Sequence, residues 1–253
     1  MDWVADNTLL SGLRIGLRET DDFLYRNKPS FAEFEAWILE KNGGADRLST
    51  ALSEAGVLGE PADPNAEPVL TAADLAFWYE NGYIVLHDAV PPENCQAAIA
   101  AICEFLDVQL DRPETWYRGP QGNSIWIPLL HHSAIWANRD APRIRRAFAQ
   151  LWGREDIWIN VDQAGFNPPE QADWKFPGPW LHSDVSLAQP IPFGVQGILH
   201  LADTAANQGA FTCVPGFHRT IDSWLQSLPE GVDPRAQDLA ASAVPISAVR
   251  EIY

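Results

Sequence analysis

Ile157-Trp-Ile-Asn-Val161, Phe193-Gly-Val-Gln-Gly-Ile-Leu-His-Leu201, Ala210-Phe-Thr-Cys-Val214 and Ala243-Val-Pro-Ile246 decide how the second half of this chain is read. Each is a short apolar run, and Pro, Gly, Asn and Asp divide them. Runs of this length between frequent turn residues read as strands of a sandwich or barrel, because an amphipathic helix needs ten or more residues at 3.6 spacing. No βα alternation accompanies them, and neither GxGxxG nor GxxxxGK[ST] occurs, which argues against a doubly wound nucleotide-binding sheet. The fold class expected is α+β, mainly β with a helical N-terminal part.

Moving outward, the first half is helical. Ser30-Phe31-Ala32-Glu33 has the form of a capping box, with Phe34, Trp37, Ile38 and Lys41 at helical spacing before Asn42-Gly43-Gly44. Leu48, Leu52 and Ala55 mark a second amphipathic stretch, and the proline-broken acidic segment 59–68 reads as a linker. Residues 1–60 are therefore expected to be a helical extension that packs on the domain beyond it through Phe34, Trp37 and Ile38. Thr71 to Asp74 caps another helix closed by Gly82, with Tyr83-Ile-Val-Leu86 as a strand. Pro91-Pro92-Glu93 opens a longer helix, and Pro142 to Trp152 forms one whose Arg143, Arg145 and Arg146 read as a solvated face.

The 253 residues are 46% hydrophobic and 20% charged, a balance that fits a folded globular protein and not a disordered one. Seventeen Lys and Arg stand against 34 Asp and Glu, a net charge of −17 that would repel a phosphate backbone, so nucleic acid is not an expected partner. No window approaches the roughly 20 apolar residues of a membrane span, so a membrane is not expected either. Three cysteines, Cys95, Cys103 and Cys213, without a CxxC, fit thiols in a reducing compartment, and the expected location is cytoplasmic.

Of the six histidines, His182 is the informative one, in Trp180-Leu-His-Ser-Asp184. On an extended strand residues i and i+2 share a face, so His182 and Asp184 present an imidazole and a carboxylate side by side. Joined by a second histidine, such a pair makes the facial triad that holds Fe(II) with open positions. His200 reads as a core or rim histidine, and adjacency allows at most one of His131 and His132 to face a pocket. Gln196 either hydrogen-bonds a cosubstrate or pairs with a strand edge. Asn160 and Asp162 share a face where polar pocket residues would sit, and Trp158, Trp174 and Trp180 supply either apolar walls or core.

His182-Ser-Asp184, Pro192 to Leu199, Leu201-Ala-Asp203, Asn207-Gln-Gly209 and Pro215-Gly-Phe-His218-Arg219 follow in order, preceded by Leu70-Thr71 and Asn81-Gly82-Tyr83. This series resembles the phytanoyl-CoA dioxygenase family over about residues 70 to 219. The resemblance implies a double-stranded β-helix (jelly-roll) over residues 70–253. It also implies Fe(II) and 2-oxoglutarate as cofactors, a small organic or acyl substrate to be hydroxylated, and His182 and Asp184 as iron ligands.

The sequence departs from the family pattern at the distal histidine, which in the family lies beyond the Pro-Gly-x-His turn and is followed by an arginine for the cosubstrate. No histidine follows His218. The expectation is a β-helix incomplete at the C-terminus, lacking its last strand or strands. His218 is the alternative third ligand, with Arg219 or Arg250 as the carboxylate's partner; otherwise His218 fixes the Pro215-Gly216 turn. The competing reading is a catalytically silent or truncated family member that serves as a binding or interaction module. Little or no turnover is expected of the chain as it stands.

Overall fold

The computed structural model describes residues 9–54, 67–117, 125–157, 159–176, 181–205, 208–234 and 250–252. Trp158, Trp180, Asn207, most of the linker 59–68 and the run 243–246 lie outside the described residues. In chain order the elements are α1 (Leu17–Asn27), α2 (Phe31–Lys41), α3 (Ala45–Glu54), α4 (Ala72–Asn81), α5 (Pro92–Leu106), β1 (Trp126–Ile127), α6 (Ser133–Arg139), α7 (Pro142–Trp152), β2 (Ala164–Gly165), β3 (Phe211–Cys213), α8 (Ile221–Ser227) and β4 (Arg250–Ile252).

Local chemistry accounts for the helix ends. At α2 the Ser30 Oγ accepts from the Glu33 N–H at 3.4 Å while Glu33 Oε2 accepts from the Ser30 N–H at 2.7 Å. Thr71 and Asp74 do the same for α4, at 3.2 and 2.8 Å. Each pair satisfies two N–H groups that a helix start otherwise leaves without partners. Gly82 at φ 78° and Gly153 at φ 65° close α4 and α7 in the left-handed region.

By their contacts the described residues fall into two units. The first draws on segments within 1–69, 90–121 and 126–166, and contains α1, α2, α3, α5, α6, α7 and the antiparallel pair β1–β2. Its core includes the inner face of α5, Ala98, Ala101, Ile102 and Leu106, with Ile127 at 1% exposure. Burying a side chain such as Ile127 contributes roughly 1.5–3 kcal/mol. Asn94 and Asn138 join α5 to α6, each amide donating to a backbone carbonyl on the other's helix. The second unit draws on 70–89, 122–125 and 167–253, with α4, α8 and the antiparallel pair β3–β4, in which Thr212 faces Glu251. Leu70, Pro168, Trp174, Leu187, Ala210 and Trp224 are among its buried residues.

The described residues are helix-rich and their strands are short, so the mainly β expectation is corrected. Residues 83–86 and 193–201, expected as strands, run without ladder partners, and the run 157–161 forms no ladder at its described residues. Their apolar, β-branched composition fits an extended chain, but a strand exists only where a second segment supplies hydrogen bonds, and composition says nothing of that partner. A second correction concerns α7. Arg143 is exposed, but Arg146 pairs with Glu155 and its side chain is 17% exposed, while Arg145 donates to the Glu155 carbonyl at 3.4 Å.

Candidate functional site

The segment 181–190 carries the candidate metal-binding pair. It bends at Asp184 and Val185 and forms no strand, so the common face foreseen for residues two apart is reached by a bend. His182 Nε2 and Asp184 Oδ1 are 3.1 Å apart, with side chains 54% and 53% exposed. Several contacts hold this loop. Leu187 is buried, Ser183 Oγ donates to the Val185 carbonyl at 3.2 Å, and Gln189 Nε2 donates to Asp222 Oδ1 on α8 at 3.0 Å.

The donor pair can be tested for fit to a metal ion. Two ligands at about 2.1 Å in neighbouring octahedral positions lie about 3.0 Å apart. The His182–Asp184 separation of 3.1 Å is that of a directly paired imidazole and carboxylate, and it also matches the span of two adjacent coordination positions. Among the described residues, no group of three or more His, Cys, Asp and Glu side chains is gathered as a metal site.

His218 stands in a short 3-10 turn, Phe217–Arg219, against the C-terminal end of α4. Its Nε2 lies 3.1 Å from the Tyr79 carbonyl, to which it donates, and the Gly216 N–H donates to the Asn81 carbonyl at 2.8 Å. The turn thus meets carbonyls that a helix end leaves open. Gln196 lies exposed in the extended run, and His200 Nδ1 sits 3.1 Å from Thr204 Oγ1. Asn160 belongs to the first unit, where its Oδ1 accepts from Ser11 Oγ at 3.1 Å. Arg219 is exposed, and the Arg250 side chain is outside the described residues.

A second polar cluster, in the first unit, was not foreseen. His131 Nε2 is 2.8 and 2.9 Å from the two carboxylate oxygens of Glu19, with both side chains about 15% exposed or less. His132 turns the other way, and its Nδ1 accepts from the Ala134 N–H at the start of α6. Arg14 pairs with Asp140 and lies 3.7 Å over the Trp136 ring, while Arg139 lies 4.9 Å from that ring and donates to the Leu130 and Asp162 carbonyls.

Burial pushes the Glu19 carboxyl up. The hydrogen bonds from His131 and Gly16 and the charges of His131 and Lys41 outweigh it, so the group sits below its ordinary value. Burial pulls the Arg139 guanidinium down to about 10, with Arg14 adding to that and Asp162, Asp140 and Glu19 opposing it. Sequence spacing held no signal for this cluster, because Glu19 and His131 are 112 positions apart.

With this geometry in hand, the chain can be compared with known proteins. It is similar to the Ava biosynthesis cluster protein O of Aspergillus versicolor, with 26% identity over 58% of this chain and 51% of that protein. It is also similar to a protein named "putative phytanoyl-CoA dioxygenase" from Dictyostelium discoideum, with 21% identity over 60% of this chain and 56% of that protein. The chain spans about half the length of the curated relatives it matches. No family model matches it, and no solved structure does. Among the described residues no helix is long and apolar enough to cross a membrane.

Proposed function

We propose that this chain belongs to a non-haem, Fe(II)- and 2-oxoglutarate-dependent dioxygenase that hydroxylates a small organic or acyl substrate. The observation that carries the reading is the His182–Asp184 pair, held at a metal-bridging separation within an ordered series of family-like motifs. The distant likeness to a protein named for phytanoyl-CoA dioxygenase supports it. The proposal includes the family's double-stranded β-helix, a cytoplasmic setting in keeping with three free thiols, and no nucleic acid or membrane as partner.

Iron bound here would supply the oxidative chemistry, in which dioxygen is consumed, 2-oxoglutarate becomes succinate and carbon dioxide, and a substrate C–H bond becomes C–OH. This chain's own part is positioning. With iron bound, His182 Nε2 and Asp184 Oδ1 would be the ligating atoms. Leu187 and the Gln189–Asp222 hydrogen bond restrain the loop that carries them. Gln196, in the same unit as this pair, is the polar group assigned to the cosubstrate. His218 is assigned to the turn against α4, and it would serve as a ligand only by giving up the Tyr79 carbonyl.

One observation favours the second reading, a binding module with little turnover: among the described residues the donors found together are two, and they are half exposed. Anaerobic titration with Fe(II), or Mn(II) as a stand-in, tests the metal assignment, and succinate release with Fe(II), ascorbate and 2-oxoglutarate tests turnover. His182→Ala and Asp184→Ala are each expected to weaken metal binding by about tenfold or more. Unaltered affinity in both variants would remove the basis of the proposal. Metal binding without succinate would select the module.

A further inference from the structure

Residues 10–48 have a core of their own. Leu10, Ile15, Ile38 and Leu48 are buried together, with Leu13, Leu17, Phe34, Trp37 and Leu39 packed against them. Phe23 stacks on Trp37 at 4.4 Å, joining α1 to α2, and Asn42 Nδ2 donates to the Leu13 and Ile38 carbonyls at 3.0 and 2.9 Å. The expectation that Phe34, Trp37 and Ile38 pack on the following domain is thereby replaced, because they turn into this cluster.

Polar and cation–ring contacts join the segment to the rest of its unit. Glu19 meets His131, Arg14 meets Asp140 and covers Trp136, and Ser11 donates to Asn160. His131 Nδ1 is buried without a hydrogen-bond partner, so Glu19 is the group that satisfies this imidazole. We propose that residues 10–48 are a separable module, held against the segments around residues 131–140 and 160 by an ionic latch of Glu19–His131 and Arg14–Asp140, which opens without loss of its own core. This inference is independent of the proposed oxygenase chemistry.

The physical reason lies in the difference between the two kinds of contact. The buried members of this core and the side chains packed on them all lie within residues 10–48, so release leaves their mutual contacts in place. Breaking one partner of the latch in the docked state leaves a buried charge or imidazole unpaired, whereas opening hydrates it, so loss of a partner favours the open state. Lys41, Arg139 and Asp162 are the other charged groups facing the latch, and the cations among them favour an ionised Glu19.

Hydrogen exchange of the full chain read by mass spectrometry provides the test, in Glu19→Gln and Arg14→Gln. The expected result is exchange of α1 and α2 amides accelerated together, on the order of tenfold, with α5 and α7 unchanged and helix content retained. Acceleration shared equally by α5 and α7, no acceleration in either variant, or collapse of the whole fold in both would overturn the proposal. If only one variant folds, the other decides by the same readout.

Discussion

Gly82 and His218 illustrate how closely one backbone position can depend on one distant ring. A Cβ at residue 82 would lie 2.5 Å from His218 Nδ1, and the backbone there has φ +78°. Gly82→Ala therefore combines left-handed strain, about 1–2 kcal/mol, with a steric conflict against the ring. His218→Ala alone should cost about 0.5–1 kcal/mol, the low end for a hydrogen bond because the residue is exposed. A denaturant double-mutant cycle is expected to show a smaller penalty for Gly82→Ala in the His218→Ala background than in the parent. Equal penalties in both backgrounds would mean that the ring does not rest on residue 82. The same cycle bears on the candidate site, since a His218 engaged with α4 is a poor candidate for moving to a metal.

At the scale of the element, the caps carry the most local information. Thr71→Ala removes the hydroxyl that accepts from Asp74 N–H and leaves the first turn of α4 with an unsatisfied donor. A loss of about 0.5–2 kcal/mol is expected in equilibrium unfolding. Thr71→Ser, which keeps the oxygen, should restore most of it, and a Ser variant as weak as Ala would show that the cap is not what stabilises the helix. These boxes were legible because donor and acceptor are three residues apart, and no other part of the chain is needed to form them. Strands β1 and β3 pair with segments tens of residues away, so apolar runs alone could not indicate which of them would find partners.

For the whole molecule, two electrostatic effects oppose each other as pH falls. Seventeen uncompensated negative charges repel one another at neutral pH, and protonation relieves this. Glu19, Glu33, Asp74 and Asp156 all have carboxyls held below their ordinary values. For Glu19 the largest effect, burial, acts the other way and is outweighed by His131 and Gly16. For Glu33 and Asp74 the backbone N–H at the cap is the main cause, and for Asp156 the hydrogen bond from Arg154. A depressed carboxyl contributes stability that is present above its unfolded value, 4.5 for Glu and 3.8 for Asp, and is lost as pH falls through the lower folded one. The thermal midpoint should therefore rise modestly from pH 7 toward about pH 5 and fall below about pH 4. A midpoint that climbs steadily to pH 3 would show that charge relief outweighs the capped and paired carboxylates. Added salt at pH 7 is expected to raise the midpoint by screening the net charge.

The sequence by itself determined what short-range chemistry can determine: the capping boxes at Ser30 and Thr71, the glycine stops at Gly82 and Gly153, and the adjacency of His182 and Asp184. Two residues apart, that pair meets whether the backbone is a strand or a bend, which is why it was legible although the strand was not. The tertiary structure decided the rest. It set His218 against the end of α4, turned Phe34 and Trp37 into their own module, paired a partly buried Arg146 with Glu155, and brought Glu19 to His131 across 112 positions. Each of these depends on the distance between parts of the chain that only folding brings near. Buried charges and unpaired strands are tolerated only where a distant segment supplies the matching group, so no local pattern announces them.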